Sequence, residues 1–196
     1  MITKEIISRG RRRSFNIEDA LTIGQHMFHV HGYEHVHLAA LTHALGINPP
    51  SFYAAFGSKA EFFQRILTRY AQAALDAGHI LRRDRDRVEA LGDFLETAAR
   101  CYAADPQARG CLALEATRGD REGEAFRAAC PLVEQRRAEI RDFIMASHPA
   151  VAEPAADYVL AMMSGLSMNA RLGLAEDRLV RIAQAAKAGL RAILTE

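Results

Sequence analysis

The sequence predicts an all-α protein of about nine helices, with a small N-terminal three-helix unit followed by a larger helical body. Three observations carry that expectation. Apolar residues recur at i, i+3, i+4 spacing along most of the chain, and no stretch shows the strict alternation of a half-buried strand. Glycine and proline, 13 and 6 of 196 residues, are too few for a loop-rich or fibrous protein. Asn and Ser stand where helix amides need capping.

Residues 1–13 end in Arg11, Arg12 and Arg13 and lack apolar periodicity, so they read as a flexible basic arm. The first helix starts after Asn16, an N-cap, with Asp19 favouring the free amides of the first turn. Its apolar stripe is Ile17, Ala20, Leu21, Gly24, Met27 and Phe28, and Gly32 ends it. A short helix from Leu38 to Leu45 is stopped by Gly46. Asn48 then caps a third helix carrying Pro49 and Pro50 in its first turn, where missing amide hydrogens cost little. Ser58 caps the fourth helix, with Glu61 three residues on as a capping box.

The remaining helices are expected at about 59–80, 87–104, 107–117, 122–147, 153–171 and 176–194. The breaks between them fall at Arg82–Asp86, Asp105-Pro106, Gly119-Asp120, His148-Pro149 and Gly173. Pro131 requires a kink or a later start in the segment holding it. The domain division that follows is an arm at 1–13, a small helical unit at 14–60 and a larger helical body at 61–196.

Charge and cysteine usage narrow the function classes. The net charge is only +1, yet six basic residues face four acidic ones within residues 1–60, which also hold six of the eight histidines. A modestly basic end on a neutral body fits a small DNA-contacting module. Three cysteines without metal-ligand spacing point to free thiols in a reducing, cytoplasmic setting. No membrane span and no signal peptide is expected, because no apolar run is long enough and the N-terminus lacks an apolar core after its charges.

The informative pair is 38–45 and 49–56, two short helices joined through Gly46-Ile47-Asn48. A glycine suits that joint because the chain turns sharply between steeply crossing helices. Ala40, Leu41, Leu45, Ile47 and Phe52 are the expected buried side. Pro49, Pro50, Ser51, Tyr53, Ala54 and Ala55 are left on a face of small side chains that can approach base edges in a major groove.

The stretch from Gly46 to Lys59 resembles the signature of TetR-family repressors, and the likeness extends over about residues 14–75, continuing more loosely beyond. The resemblance implies a homodimeric transcriptional regulator, by default a repressor, released from a palindromic DNA operator by a small-molecule effector. It implies that Tyr53 and Lys59 hold phosphates, that Asn48, Pro49, Pro50, Ser51 and Ala54 face bases, and that Arg11, Arg12 and Arg13 reach neighbouring backbone. His37 stands where the family often has Thr or Ser at the start of the second helix, replacing a hydroxyl cap with an imidazole. The last two helices are similar to the family's dimer interface, which assigns Leu166, Leu179, Ile182, Ala183, Ala186, Leu190 and Ile193 to it. Gly110-Cys111-Leu112 resembles a triplet found in several members, some of which sense oxidants or electrophiles through a cysteine.

Expected lining for an effector pocket is Phe94, Tyr102, Cys111, Glu115, Phe126, Met145, Met162 and Asn169, mostly apolar, which favours a small hydrophobic compound. No cofactor and no metal site is expected, since the histidines form no coherent ligand set. An enzyme is disfavoured by the absence of a nucleophile–base pattern, a phosphate loop or a metal motif. The alternatives to a ligand-released regulator are a helical protein-binding adaptor that does not recognise DNA and, within the same family, a cysteine-based redox or electrophile sensor.

Overall fold

The computed structural model describes residues 16–75 and 77–195. Its helices are α1 (Ile17–His31), α2 (Leu38–Leu45), α3 (Pro49–Phe56), α4 (Lys59–Ala74), α5 (Ala77–Ile80), α6 (Arg87–Ala103), α7 (Leu112–Ala116), α8 (Glu124–Met145), α9 (Ala152–Arg171) and α10 (Glu176–Leu194), with a 3-10 turn at Pro149–Val151. There is no strand among the described residues.

The expected caps form. Asn16 Oδ1 accepts from Glu18 N at 2.8 Å, Asn48 Oδ1 from Ser51 N at 2.9 Å and Ser58 Oγ from Glu61 N at 3.1 Å. Gly46 adopts the left-handed conformation at φ 65°, which turns the chain from α2 into α3 and which a β-carbon would strain.

Two expected helix bounds needed correction. The fourth helix does not run to 80: Leu75 is extended (φ −146°, ψ 104°) and buried, so the chain turns its side chain into the body and restarts as the short α5. The segment expected at 107–117 is helical only from Leu112. Ahead of it Gly110 sits at φ 86° with Arg171 Cγ, Ser167 Oγ and the Ser167 carbonyl 2.8–3.1 Å from where a Cβ would lie. Of the two expectations for Pro131, a later start is not seen, because Pro131 lies inside α8 on an exposed position.

Two apolar cores result. The N-terminal one gathers Phe28, Tyr33, Phe52, Phe56, Phe62 and Phe63 with Leu41, Ile66 and Leu67, and reaches Leu112, Ala113, Ala125 and Ala129 of α7 and α8. Ring centroids are 4.4 Å apart for Phe56–Phe62 and 4.8 Å for Phe28–Phe63, so the rings interlock at tilted and edge-on angles. Gly24 permits this: a Cβ there would lie 2.4 Å from Phe62 Cε1, so only glycine lets α1 come this close to α4. Ala40, expected in this core, is exposed, and Thr42 is buried in its place. The second core packs α6 against α9 and α10 and extends to α8. α4 belongs to both: its first half carries Phe62, Phe63, Ile66 and Leu67, while Leu75 closes its far end against the body.

Candidate functional site

The short α3 buries one side and presents the other. Phe52 and Phe56 are fully buried, holding the helix on Phe62, while Pro49, Pro50, Ser51, Tyr53 and Ala54 are all exposed. Tyr53, 52% exposed, stands edge-on to Phe52, so the inner ring props the outer one and directs its hydroxyl away from the core. Pro49 and Pro50 have no amide hydrogens, and the Ser51 amide is bonded to Asn48, so the start of α3 presents side chains rather than free amides. His37 opens α2 without a side-chain cap bond and is exposed. Arg11, Arg12 and Arg13 lie outside the described residues.

Lys59, at the start of α4, is engaged within the chain. Its ammonium donates to the Tyr33 carbonyl at 2.9 Å and the Val36 carbonyl at 3.1 Å and lies 3.9 Å from the centroid of the Tyr33 ring. Burial lowers its pKa, with Glu34 and Glu124 opposing. It therefore ties the start of α4 to the α1–α2 connection. Arg69 secures the same pair of helices from the other side, donating from α4 to Thr22 Oγ1 at 3.0 Å and Gln25 Oε1 at 3.0 Å on α1.

A cavity of about 640 Å³ opens between α4, α6, α7, α8 and α9. Tyr70, Leu75, Leu114, Val133, Phe143 and Met163 form much of its wall, and Arg136 lies over the end of α4, donating to the Ala71 and Leu75 carbonyls at 3.4 Å. Of the expected lining residues, Tyr102 and Cys111 are in the wall. The others are placed elsewhere. Phe94 is wholly in the core, and Phe126 packs beside Arg121. Met145 is exposed at the end of α8, and Met162 packs against the body core. Asn169 donates to the Gly165 carbonyl of its own helix. Sequence reasoning missed Tyr70 and Arg136. Tyr70 ends the Phe63, Leu67 stripe at i+7, which was the available signal; Arg136 gives none, because its partners are carbonyls of another helix.

Beside the cavity a polar cluster joins the two cores. Glu115 Oε1 accepts from Ser167 Oγ at 2.9 Å, and its carboxylate pairs with Arg171 at 3.5 Å and Arg118 at 3.3 Å, so this expected lining residue is a structural anion. Ser167 Oγ in turn accepts from the Cys111 amide at 2.9 Å. Arg171 donates to the His29 carbonyl at 3.1 Å, and the His29 ring bonds the Gly110 carbonyl at 3.2 Å. Burial lowers the pKa of His29 and raises that of the Cys111 thiol. A thiol held neutral is a poor nucleophile, so the cluster does not activate Cys111 as a sensor.

The last two helices also differ from expectation. Leu166, Leu179, Ala183, Ala186 and Leu190 are buried within the chain itself, where α10 packs on α6 and α9, and Ile193 is partly buried. Only Ile182, 42% exposed, remains on the surface. The stripe that is exposed instead is Ala161, Gly165 and Met168 of α9 with Leu172 just after it; a Cβ on Gly165 would meet nothing within 4 Å. No helix among the described residues is long and apolar enough to cross a membrane.

Comparison with known proteins agrees with this geometry. The family described as bacterial regulatory proteins, tetR family, matches residues 24–66, which span the end of α1 through the first half of α4. The chain is 38% identical over 188 residues to the HTH-type transcriptional repressor BdcR of Escherichia coli (strain K12), covering 95% of each chain. It is 28% identical to the repressor ComR of the same organism, covering 90% of this chain and 89% of that one. Among solved structures, a cysteine mutant of the TetR family regulator CifR, complexed with 26bp double-strand operator DNA, aligns with a TM-score of 0.81 at 30% identity, over 91% of this chain and 98% of that one.

Proposed function

The chain belongs to the tetR family of bacterial regulatory proteins, and we propose that it represses transcription by holding a palindromic operator between the two α3 helices of a homodimer until a small molecule fills the cavity. It is a DNA-binding transcriptional regulator that acts by binding and not by catalysis. The observation that carries the reading is the α2–Gly46–α3 turn with Pro49, Pro50, Ser51, Tyr53 and Ala54 exposed on a helix whose other side is locked by Phe52 and Phe56. A rigid helix with small outer side chains suits direct approach to base edges, and Tyr53 suits a phosphate. In this reading Arg11, Arg12 and Arg13 reach neighbouring backbone, while Asn48 and His37 border the contact. A protein of this kind works beside the chromosome, in the cytoplasm.

Two α3 helices reading an inverted repeat must sit about 34–36 Å apart, or a longer multiple of the helical repeat. The second copy is supplied across the exposed residues Ala161, Gly165, Met168, Leu172 and Ile182, whose small members allow close helix contact. α4 lines the cavity at Tyr70, Ala71 and Leu75 and is tied by Lys59 to the α1–α2 connection, so a ligand that displaces it moves the reading helices as well. Release is then a population shift between two dimer geometries.

Selection of the purified protein against a random double-stranded DNA library tests the reading. The expected result is one inverted repeat, bound by two chains, with affinity falling steeply as salt rises. Weak binding indifferent to sequence, together with capture of a protein partner, would support the adaptor alternative instead.

A further inference from the structure

We infer that the cavity between α4, α6, α7, α8 and α9 takes a neutral, mainly apolar small molecule bearing one hydrogen-bond acceptor, a ketone or an ester, and that the Tyr102 hydroxyl at its inner end meets that acceptor. The inference rests on the reading of this cavity as the effector site and adds the ligand's chemistry.

Four observations support it. Tyr102 lines the cavity at 1% exposure, and its hydroxyl has no oxygen or nitrogen partner among the described residues, the Cys111 thiol beside it being only a weak acceptor. Buried hydroxyls are normally paired, and one left unpaired loses its water without replacement, so a ligand acceptor that reaches it recovers that loss. The groups around it are Cys111, Tyr70 and Arg136, all cavity residues, and burial drives the Tyr102 pKa upward, keeping the hydroxyl a donor at any ordinary pH. The rest of the inner wall is Leu75, Leu114, Val133, Phe143, Leu160 and Met163, which favours an apolar body.

The charges exclude an anion. Arg136 is the cation of the inner wall, with only 17% of its side chain exposed, and it is already satisfied by Glu139 at 3.0 Å and by the α4 carbonyls. Glu139 and Asp142 lie on the exposed side with Arg83, so the mouth does not favour negative charge. A carboxylate entering here would lose its hydration with no free cation to meet it.

Three matched fluorescent probes test the inference on the full-length protein, which has no tryptophan to interfere. They are 6-propionyl-2-(dimethylamino)naphthalene, its 6-propyl counterpart without the carbonyl, and 6-(dimethylamino)-2-naphthoate. The propionyl probe is expected to bind one per chain, several-fold more tightly than the propyl probe and at least ten-fold more tightly than the naphthoate. Tyr102→Phe should weaken the propionyl probe about five- to ten-fold, the usual worth of one hydrogen bond, and leave the propyl probe within two-fold. Val133→Phe, which fills the cavity from α8, should weaken all three. Equal response of the propionyl and propyl probes to Tyr102→Phe overturns the inference, as does naphthoate binding as tightly as the ketone or probe binding unaffected by Val133→Phe. Because the readout is binding without DNA, normal operator recognition with failed probe selectivity overturns the ligand class alone. Loss of sequence-specific DNA binding with the probe pattern intact overturns only the regulator reading.

Discussion

The N-terminal unit and the helical body solve the same packing problem with different side chains. Around α1–α4 the core is aromatic: six interlocked rings leave no room for as much as a β-carbon at Gly24. In the body the buried side chains of α6, α9 and α10 are largely alanine and leucine, and beside them the chain leaves a cavity of about 640 Å³. Interlocked rings resist deformation, whereas helices beside a cavity can shift at small cost. The reading head is thus built to keep its shape and the body to change, and α4, which belongs to both, is the element through which one affects the other.

Truncation on each side measures that difference. Phe62→Ala should cost about 3–5 kcal/mol in denaturant unfolding, because the rings around it cannot collapse into the space. Leu132→Ala, on a partly buried residue of the cavity wall, should cost about 1–2 kcal/mol, since it enlarges a space already present. Equal costs would break the comparison. Gly24→Ala comes next, at about 1–3 kcal/mol, from the Cβ forced against Phe62. Were it neutral, the N-terminal unit would be more pliant than its packing implies.

Lys59 sharpens the comparison from the side of charge. Lys59→Met should destabilise the chain by about 1–2 kcal/mol through loss of its bonds to the Tyr33 and Val36 carbonyls, and should leave the salt dependence of operator binding unchanged. A lysine that neutralised a phosphate would instead lower the salt slope by about one.

The smallest effect belongs to His29, at the seam between the regions. Burial and Arg171 favour its neutral ring, while the Gly110 bond and Asp105 oppose them, and His26 is the other titratable group facing it. With its folded pKa below 6.5, the unfolded chain takes up the proton first. Stability contributed by the neutral ring is therefore complete above that value and lost as pH falls below it. The melting temperature should drop between pH 7.5 and 5.5, and His29→Gln should make that drop shallower. An unchanged profile would mean that the seam does not sense protons.

Much of the reading head was legible in the sequence because its determinants are local. Asn16, Asn48 and Ser58 cap their own helices, and Gly46 turns its own joint. The body was less legible because its assignments depend on helix rotation and on distant carbonyls. The Leu179, Ala183, Ala186 and Leu190 stripe of α10 has the spacing of an interface, yet α6 and α9 of the same chain already cover it. An apolar stripe reports that something covers it, not whether the cover is a second copy. Glu115 was expected to face a ligand, but its partners Ser167, Arg118 and Arg171 arrive only on folding. The bonds of Lys59 were illegible for the same reason, since nothing near it in sequence announces the Tyr33 and Val36 carbonyls.

The central claim, that the exposed face of α3 reads DNA sequence, is tested most directly by repeating the library selection with Ala54→Gln. Ala54 is exposed on α3, so the fold is retained while a side chain able to bond adenine is added. The account predicts an inverted repeat of unchanged spacing with altered base preference at matching positions of both half-sites. Recovery of the parental repeat with unchanged preference at every position would contradict it.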